Sequence, residues 1–531
     1  MPKHALSIAS ATIFLFWLGP VHAQPQPPRT ELSPQSQADF ARVFGSRAPG
    51  AISPFAAGRT GGLGAPLDVT PAHNATTRLL TWNRVAMQVT ALDHAHGPNE
   101  KYDQLGPHRS SRAIAMVHIA MYDAVNAITR RYASYTGMPD AEVPRASLDV
   151  AIATAAHDSL LDLFPLQQGA IEAAYKLDVA GIPGEDTAKA AGMAVGKRAA
   201  AAIKQIRADD GAKPAELDVG TAQQAADMPD KFVFIEPKPG VWRPDQISNI
   251  HTALGYDWGK VKPFVLDPAN LAAYRPKPPP DLSSDDYTAA YLDVRKVGGD
   301  PAKGTATERK PEETFRGTFW AYDGTPALCA PPRLYNQTAL QIVEQNHARL
   351  DLSDPSEMAR FLAVTNTAMA DTAIVAWEAK WFYKFWRPIS AITDPNPGNS
   401  NTPSDFAFYP LGAPATNGRG PNFTPPFPSY PSGHAAFGGA LFSVMRDYFS
   451  EQTSFELQSD EFNGQNHGYA DPQSRPLRTL FFGRLADAEW ENARSRIWLG
   501  IHWQFDADAG IEQGRAVARY VLANGFKPRA N

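Results

Sequence analysis

The sequence predicts an all-α protein in which two helical bundles share one continuous core. Apolar residues recur at spacings of three and four over many long stretches, as they do on the buried face of a helix. Strand patterns are scarce, and 232–235 is the one weak candidate. The 47 prolines cluster between the helical stretches, where proline favours turns and rigid extended connections. We therefore expect helices joined by long Pro/Gly-rich loops.

The first half of the chain predicts an arm followed by a bundle. Residues 24–106 are rich in glycine, proline and polar residues, which predicts an irregular N-terminal arm with one short helix at 79–92. Clear helical periodicity begins after Pro107. Four predicted helices with short connections favour a bundle within 107–282. The first of these helices runs through Ile128, and the other three are predicted at 150–163, 170–179 and 186–207.

The second half predicts a second bundle over 283–531, after a mostly irregular connection at 209–282. A Pro/Gly-rich loop is expected at about 394–431. The predicted helices are 287–297, 335–350, 356–385, 434–449 and 486–520.

Composition and charge exclude several classes of function. The formal net charge of −5 gives no general reason to expect binding to nucleic acid or to a membrane surface. Cys329 is the only cysteine, so a disulfide within the chain and a cysteine-based zinc site are both excluded.

The N-terminus has the pattern of an export signal. Lys3 and His4 precede an apolar run at 11–18, and Val21-His22-Ala23 provides a small-x-small cleavage site. We therefore expect 1–23 to be a signal peptide and the mature protein to be periplasmic or secreted. The apolar run is too short to span a bilayer, so no stable membrane insertion is expected.

The first candidate functional segment is 380–388, at the end of a predicted helix. Lys380 and Arg387 are seven residues apart, so two helical turns would place both cations on one face. Arginine offers a rigid fork for a tetrahedral oxyanion, and lysine offers a compact charge. By itself, this spacing also fits a solvated basic face.

The second segment is Ser432-Gly433-His434, which precedes an apolar helix. A Ser-Gly step at a helix start directs backbone N–H groups and a hydroxyl outward, and this favours anion binding. Gly433 permits close approach of the backbone. His434 would lie beside the anion, where an imidazole can transfer protons near neutral pH. The same residues also fit an N-cap serine, a turn glycine and a packing histidine.

The third segment contains Arg496, His502 and Asp506. Arg496 offers another oxyanion fork. Because His502 and Asp506 are four residues apart, one helical turn would bring the carboxylate to the imidazole and fix its tautomer. His502 is then a candidate nucleophile or metal ligand, although Asp506 alone also fits an ordinary surface carboxylate. Together, the three segments predict one site that binds a tetrahedral oxyanion and transfers protons.

These segments, in this order, resemble the signature shared by vanadium-dependent haloperoxidases and type 2 phosphatidic acid phosphatases. The resemblance rests on Lys380-x6-Arg387-Pro388, Pro431-Ser432-Gly433-His434 and Ser495-Arg496-x5-His502-x3-Asp506. The chain is more similar to the chloroperoxidase-like branch, since Trp377 and Phe427 stand where that branch places aromatic residues near the halide. Plain core packing would also explain these two aromatics. The resemblance covers roughly residues 107–525.

The resemblance implies two four-helix bundles packed as one compact unit, and a catalytic site that includes Asp506. His502 would be the single protein ligand of one vanadate, and His434 would take a proton from hydrogen peroxide as a peroxovanadate forms. Lys380 would polarise the peroxide, and a halide would be oxidised to hypohalous acid, which reacts with a small organic acceptor. The signature assigns neither a particular halide nor an oligomeric state. The expected hydrogen-bond donors to the vanadate are Lys380, Arg387, Ser432, Gly433 and Arg496.

Two other functions would use the same residues. In an acid phosphatase, which needs no vanadate, His502 would become a phosphohistidine and His434 would protonate the leaving group. A non-catalytic oxyanion-binding protein would need the cations, but it would not need His434 as a proton shuttle. The aromatic positions and the long N-terminal bundle favour the peroxidase.

Overall fold

The computed structural model describes residues 32–44, 67, 69–95, 102–142, 145–346, 354–418, 420–468 and 473–529. The expected signal peptide at 1–23 lies outside these residues. The helices are α1 (Pro34–Phe44), α2 (Ala75–Asp93), α3 (Gly106–Thr129), α4 (Leu148–Leu163), α5 (Gln168–Ala180), α6 (Asp186–Ile206), α7 (Ala222–Asp227), α8 (Asp285–Val297), α9 (Pro311–Phe319), α10 (Pro331–Gln345), α11 (Pro355–Tyr383), α12 (Pro388–Ile392), α13 (Gly433–Tyr448), α14 (Leu485–Trp498) and α15 (Gln504–Asn524). The strands are β1 (Leu217–Gly220), β2 (Phe232–Phe234), β3 (Thr252–Ala253), β4 (Phe455–Gln458) and β5 (Thr479–Phe482). Among the described helices, none combines the length and the apolar character needed to cross a bilayer.

The first bundle is centred on α3, α4 and α6, and α2 packs against α4. The short helix expected at 79–92 is present as α2, which has 19 residues, most of them buried. The arm is less irregular than expected, because it also contains α1 (Pro34–Phe44). Polar side chains of α2 are buried through specific partners. Trp82 Nε1 donates to Asp178 at 2.8 Å, and Asn83 Oδ1 lies 2.8 Å from His118 Nε2.

The second bundle is built from α11, α13, α14 and α15, and α11 also packs along α3 of the first bundle. One apolar core therefore runs through both bundles, with a second cluster beside α8 and α12. Glycines allow α13 and α15 to approach closely. A Cβ at Gly514 would lie 1.9 Å from the carbonyl oxygen of Ala436, and one at Gly439 would lie 2.4 Å from that of Ile511. This contact fixes the start of α13 beside the start of α15.

Residues in the left-handed conformation divide one predicted helix and end another. The helix predicted at 486–520 is divided into α14 and α15 by a turn in which Gly500 has a φ of +73°. The helix predicted at 356–385 ends at Tyr383, because Lys384 adopts the left-handed conformation. In the connection expected to be irregular, the structure forms a small sheet with strand order β2-β1-β3. The weak strand candidate at 232–235 corresponds to β2.

Candidate active site

Lys380 and Arg387 do not share a helix face, because the chain leaves α11 between them. Lys380 lies in the last turn of α11, and Arg387 is the N-cap residue of α12. The turn at Lys384 separates the two elements. Both cations are nevertheless fully buried, and both contact the Pro/Gly-rich loop that precedes α13. The tertiary fold, and not helical periodicity, brings them together.

The Lys380 ammonium is held by carbonyl oxygens of this loop. Its Nζ donates to Pro428 at 2.8 Å, to Ser429 at 3.0 Å and to Pro431 at 2.6 Å. An ammonium has three N–H groups, so these bonds use all of them. For Lys380 to bind an anion as predicted, it must therefore give up one of these carbonyl bonds.

Arg387 and Arg496 each retain N–H groups without a protein partner. Arg387 Nε donates to Phe427 O at 3.0 Å and its Nη1 donates to Ile501 O at 2.8 Å, but Nη2 has no partner. Arg496, in the last turn of α14, donates only from Nη2, to the two Asp323 oxygens at 2.7 and 2.8 Å. Its Nε and Nη1 are buried and unpartnered. Buried charged donors without acceptors are costly, which makes them candidates for ligand binding.

The second motif forms the start of α13 as predicted. Ser432 is the N-cap residue and its Oγ accepts from the amide of Ala435 at 3.5 Å. Gly433 is the first helical residue, so its amide has no acceptor within the helix. His434 Nε2 lies 2.5 Å from the carbonyl oxygen of Ala321. Because a carbonyl only accepts, Nε2 carries the proton and Nδ1 is the basic nitrogen of the ring.

His502 and Asp506 are in contact, although not through one continuous helix. His502 precedes α15, Asp506 lies in the first turn of α15, and the Nδ1–Oδ2 distance is 2.8 Å. The same carboxylate oxygen accepts from the amide of Trp503 at 3.1 Å and from the hydroxyl of Ser429. Since Nδ1 donates to Asp506, the lone pair lies on Nε2, which is 3.2 Å from Arg387 Nη1.

Burial controls the charges of this site. Desolvation lowers the pKa of Lys380 well below its ordinary range, and it lowers the pKa of Arg387 to about 9. Burial, together with the neighbouring arginines, also lowers the pKa of His434 and of His502 far below the usual value, so both rings are neutral at pH 7. Burial raises the pKa of Asp506 to about 7. Neutral imidazoles can take up a proton or ligate a metal.

The motifs meet at a cavity of about 40 Å³. The site residues in its lining are Trp377, Phe427, Gly433, His434, Arg496 and His502. Lys380, Arg387, Ser432 and Asp506 are connected to this lining through the contacts described above. The structure therefore brings every predicted site residue into one region, with some residues at the wall of the cavity and others behind it.

Trp377 and Phe427 form an aromatic wall next to the cations. Their ring centroids are 5.1 Å apart, and Lys380 Nζ lies 5.0 Å from the centroid of Phe427. Trp377 Nε1 donates to Leu254 O at 3.1 Å. Gly255 lies so close to the indole that a Cβ there would be 2.3 Å from Trp377 Cδ1. Trp377 and Phe427 are therefore packed in the core and also lie beside the candidate anion site.

Comparisons with known proteins agree with this geometry. The family described as the VCPO second helical-bundle domain matches residues 360–527. Vanadium chloroperoxidase of Curvularia inaequalis is 31% identical over 504 residues, which cover 83% of this chain and 80% of that protein. The chain belongs to the vanadium-dependent haloperoxidase family.

Solved structures of haloperoxidases share the fold. A bacterial vanadium-dependent iodoperoxidase matches with a TM-score of 0.65 and 22% identity, over 88% of this chain and 99% of that one. The apo-type bacterial vanadium-dependent chloroperoxidase matches with a TM-score of 0.57 and 15% identity, over 79% and 94% of the two chains. The predicted helical-bundle architecture is therefore confirmed, with a few short strands added to it.

The residues of this haloperoxidase-family chain fit a vanadate. The unpartnered N–H groups of Arg387 and Arg496 suit a tetrahedral oxyanion, and the lone pair of His502 Nε2 is of the kind that could ligate its central atom. Within the described residues, no group of three or more His, Cys, Asp and Glu side chains is placed to hold a bare metal ion. The site also places three buried basic side chains beside two carboxylates, Asp323 and Asp506, so a bound anion would favour the charged forms of the basic groups.

Three contributors to the site were not found from the sequence. Asp323 fixes Arg496, Ser429 donates to Asp506, and the carbonyl of Ala321 orients His434. Asp323 precedes Gly324, and an Asp-Gly pair by itself indicates only a turn. The carbonyl of Ala321 has no signal in the sequence, because any residue supplies a backbone oxygen.

Proposed function

We propose that this protein oxidises a halide with hydrogen peroxide, using one vanadate per site, and gives hypohalous acid. One halide ion, one peroxide molecule and one proton yield one hypohalous acid and one water. The observation that carries the proposal is the set of unpartnered guanidinium N–H groups on Arg387 and Arg496 beside the lone pair of His502 Nε2. Vanadate bound there would supply a Lewis acid that activates the peroxide.

Asp506 and His502 act as a unit in this proposal. Asp506 accepts a hydrogen bond from Nδ1–H of His502, so the lone pair of Nε2 is free to ligate the oxyanion. Ser429 and the amide of Trp503 hold the carboxylate in place. Arg387 and Arg496 bind the oxyanion oxygens, and Ser432 and Gly433 place the N-terminus of α13 beside them.

His434 is the proposed acid–base group. Nε2–H of His434 donates a hydrogen bond to Ala321 O, so the neutral ring presents Nδ1 as a base. Nδ1 accepts a proton from hydrogen peroxide that enters the cavity, and the imidazolium then holds that proton for return. Lys380, after release of one loop carbonyl, would donate to the peroxide and polarise it. Burial favours the neutral amine, and a bound anion would favour the ammonium.

Trp377 and Phe427 are the proposed halide wall. Arg387 Cζ lies 5.1 Å from the centroid of Phe427, so a halide at this wall would lie near a cation while it is shielded from water. The organic acceptor reacts with the hypohalous acid and needs no dedicated anion donors. We also propose that the N-terminal segment 1–23 is a signal peptide that directs export of the mature chain.

The test is reconstitution of the purified protein with orthovanadate, followed by bromination of a dimedone reporter with hydrogen peroxide and bromide. We expect bromination that requires vanadate, peroxide and bromide together. The matched assay is release of orthophosphate by the vanadate-free protein from acetyl phosphate, whose organic group is small. Fast hydrolysis that vanadate inhibits, without any bromination, would establish the phosphatase in place of the haloperoxidase.

A further inference from the structure

Helix α1, far from the site motifs in the sequence, supplies a wall of the same cavity. Phe40 lines the space that His434, Arg496 and His502 also line. Its side chain is 4% exposed, so the ring is directed into the protein. The remaining wall on the apolar side includes Leu105, Leu254, Phe423 and Phe437.

The position of α1 is fixed by polar contacts to the small sheet. The hydroxyls of Ser33 and Ser36 both donate to Asp218 on β1. Asp39 Oδ2 accepts from the backbone amide and from the ring Nδ1 of His251, each at 3.0 Å. These contacts attach one face of α1 to the sheet and hold the Phe40 ring at the cavity.

The C-terminal end of α1 also abuts the Pro/Gly-rich loop that carries Phe427. A Cβ at Gly420 would lie only 2.2 Å from the carbonyl oxygen of Val43. Arg42 Nη2 donates to Asn249 O at 2.8 Å on the other side. The helix is therefore fixed between the sheet and the loop, and the ring of Phe40 cannot withdraw without loss of these contacts.

The cavity is small compared with an organic group. One water needs roughly 10–15 Å³ of such space, so about 40 Å³ suffices for a few small molecules or one tetrahedral oxyanion. A phenyl ring needs more, since a cavity of ~150 Å³ made by a large-to-small substitution is of the size that binds benzene. Removal of the Phe40 ring would enlarge the cavity that Arg496 and His502 also line.

We infer that Phe40 determines specificity by excluding oxyanions that carry a bulky organic group, such as aryl phosphate monoesters, while inorganic oxyanions bind. The inference rests on the proposed oxyanion site and adds the class of molecule that the site rejects. The phosphatase alternative uses the same donors, so Phe40 would disfavour hydrolysis of bulky phosphate monoesters while it leaves room for an inorganic oxyanion. It acts on the group attached to the oxyanion and makes no contact with the oxygens.

The experiment measures binding to the full-length, vanadate-free protein by calorimetry. The ligands are orthophosphate and phenyl phosphate, and the proteins are the wild type, Phe40→Ala, Phe40→Leu and the control Val43→Ala. Val43 is buried on the same helix but does not line the cavity. We expect Phe40→Ala to bind phenyl phosphate about tenfold more tightly, with Phe40→Leu intermediate. Orthophosphate affinity should stay within about twofold in every protein, and Val43→Ala should match the wild type.

The outcomes separate this inference from the proposed function. Two results would overturn the role of Phe40. One is the same ratio of phenyl phosphate to orthophosphate affinity in the wild type and in both Phe40 variants. The other is a wild-type protein that binds phenyl phosphate more tightly than orthophosphate. Absence of orthophosphate and orthovanadate binding in all proteins would overturn both proposals. Discrimination that depends on Phe40, in a protein that never oxidises bromide, would support Phe40 and overturn only the haloperoxidase.

Discussion

Two buried arginines of the first bundle and two of the second have their guanidinium groups satisfied to different degrees. In the first bundle, Arg78 and Arg109 have a protein acceptor for every guanidinium nitrogen. In the second bundle, Arg387 lacks one acceptor and Arg496 lacks two. The first pair stabilises the fold, whereas the second pair keeps donors available for a ligand. Buried unsatisfied donors cost stability, and the three on Arg387 and Arg496 belong to two cations that contact other residues of one candidate site.

The largest expected effect separates the two histidines of the second bundle. His502→Ala should weaken vanadate binding by more than about 100-fold, because it removes the proposed ligand nitrogen. His434→Ala should retain binding within a few-fold and lose turnover, because it removes only the base. Vanadate titration and the bromination assay measure the two effects. Unchanged vanadate affinity in His502→Ala would contradict the ligand assignment.

A matched pair of substitutions tests the comparison itself. Arg496→Lys should lower vanadate affinity by about ten- to a hundredfold and should lower Tm less than Arg78→Lys does, because only Nη2 of Arg496 has a protein acceptor, Asp323, to lose. Arg78→Lys should lower Tm by several degrees and leave vanadate affinity unchanged, since its fork bonds Asp178. Thermal unfolding and vanadate titration of both variants are required. The reverse pattern would remove the distinction between the two bundles.

The third effect concerns pH and the first bundle. Burial lowers the pKa of His118 from 6.5 to about 4, while Nδ1 donates to Ile114 O at 2.8 Å. Because the folded pKa lies below the unfolded one, its stabilisation is complete above pH 6.5 and is lost as the pH falls toward 4.

The linked free energy is about 3 kcal/mol, from the shift and ~1.4 kcal/mol per unit. The Tm difference between wild type and His118→Gln should therefore shrink from pH 7 to pH 4. A difference that stays constant over this range would show that His118 is not buried in its neutral form.

Helix position was predictable wherever one face was regularly apolar. The predicted helices at 150–163 and 186–207 agree closely with α4 and α6. The short helix expected at 79–92 is α2, which begins four residues earlier, where buried polar residues such as Arg78 weaken the apolar period. The prediction missed α1 (Pro34–Phe44), because 11 residues in a polar, proline-rich stretch offer only a short apolar pattern. It also failed at the end of α11 and between α14 and α15, where single left-handed residues, Lys384 and Gly500, end a favourable helical pattern.

The sequence by itself determined the helical class and the three segments that carry Lys380, Arg387, Ser432, Gly433, His434, Arg496, His502 and Asp506. Periodicity, caps and motif spacing are local properties, and the chain records them directly. Only the tertiary structure decided how these residues meet. It placed Arg387 beside His502 across a loop, paired Arg496 with Asp323, and set Phe40 at the cavity wall. Contacts between residues distant in the chain depend on packing of the whole core, and no local pattern records them.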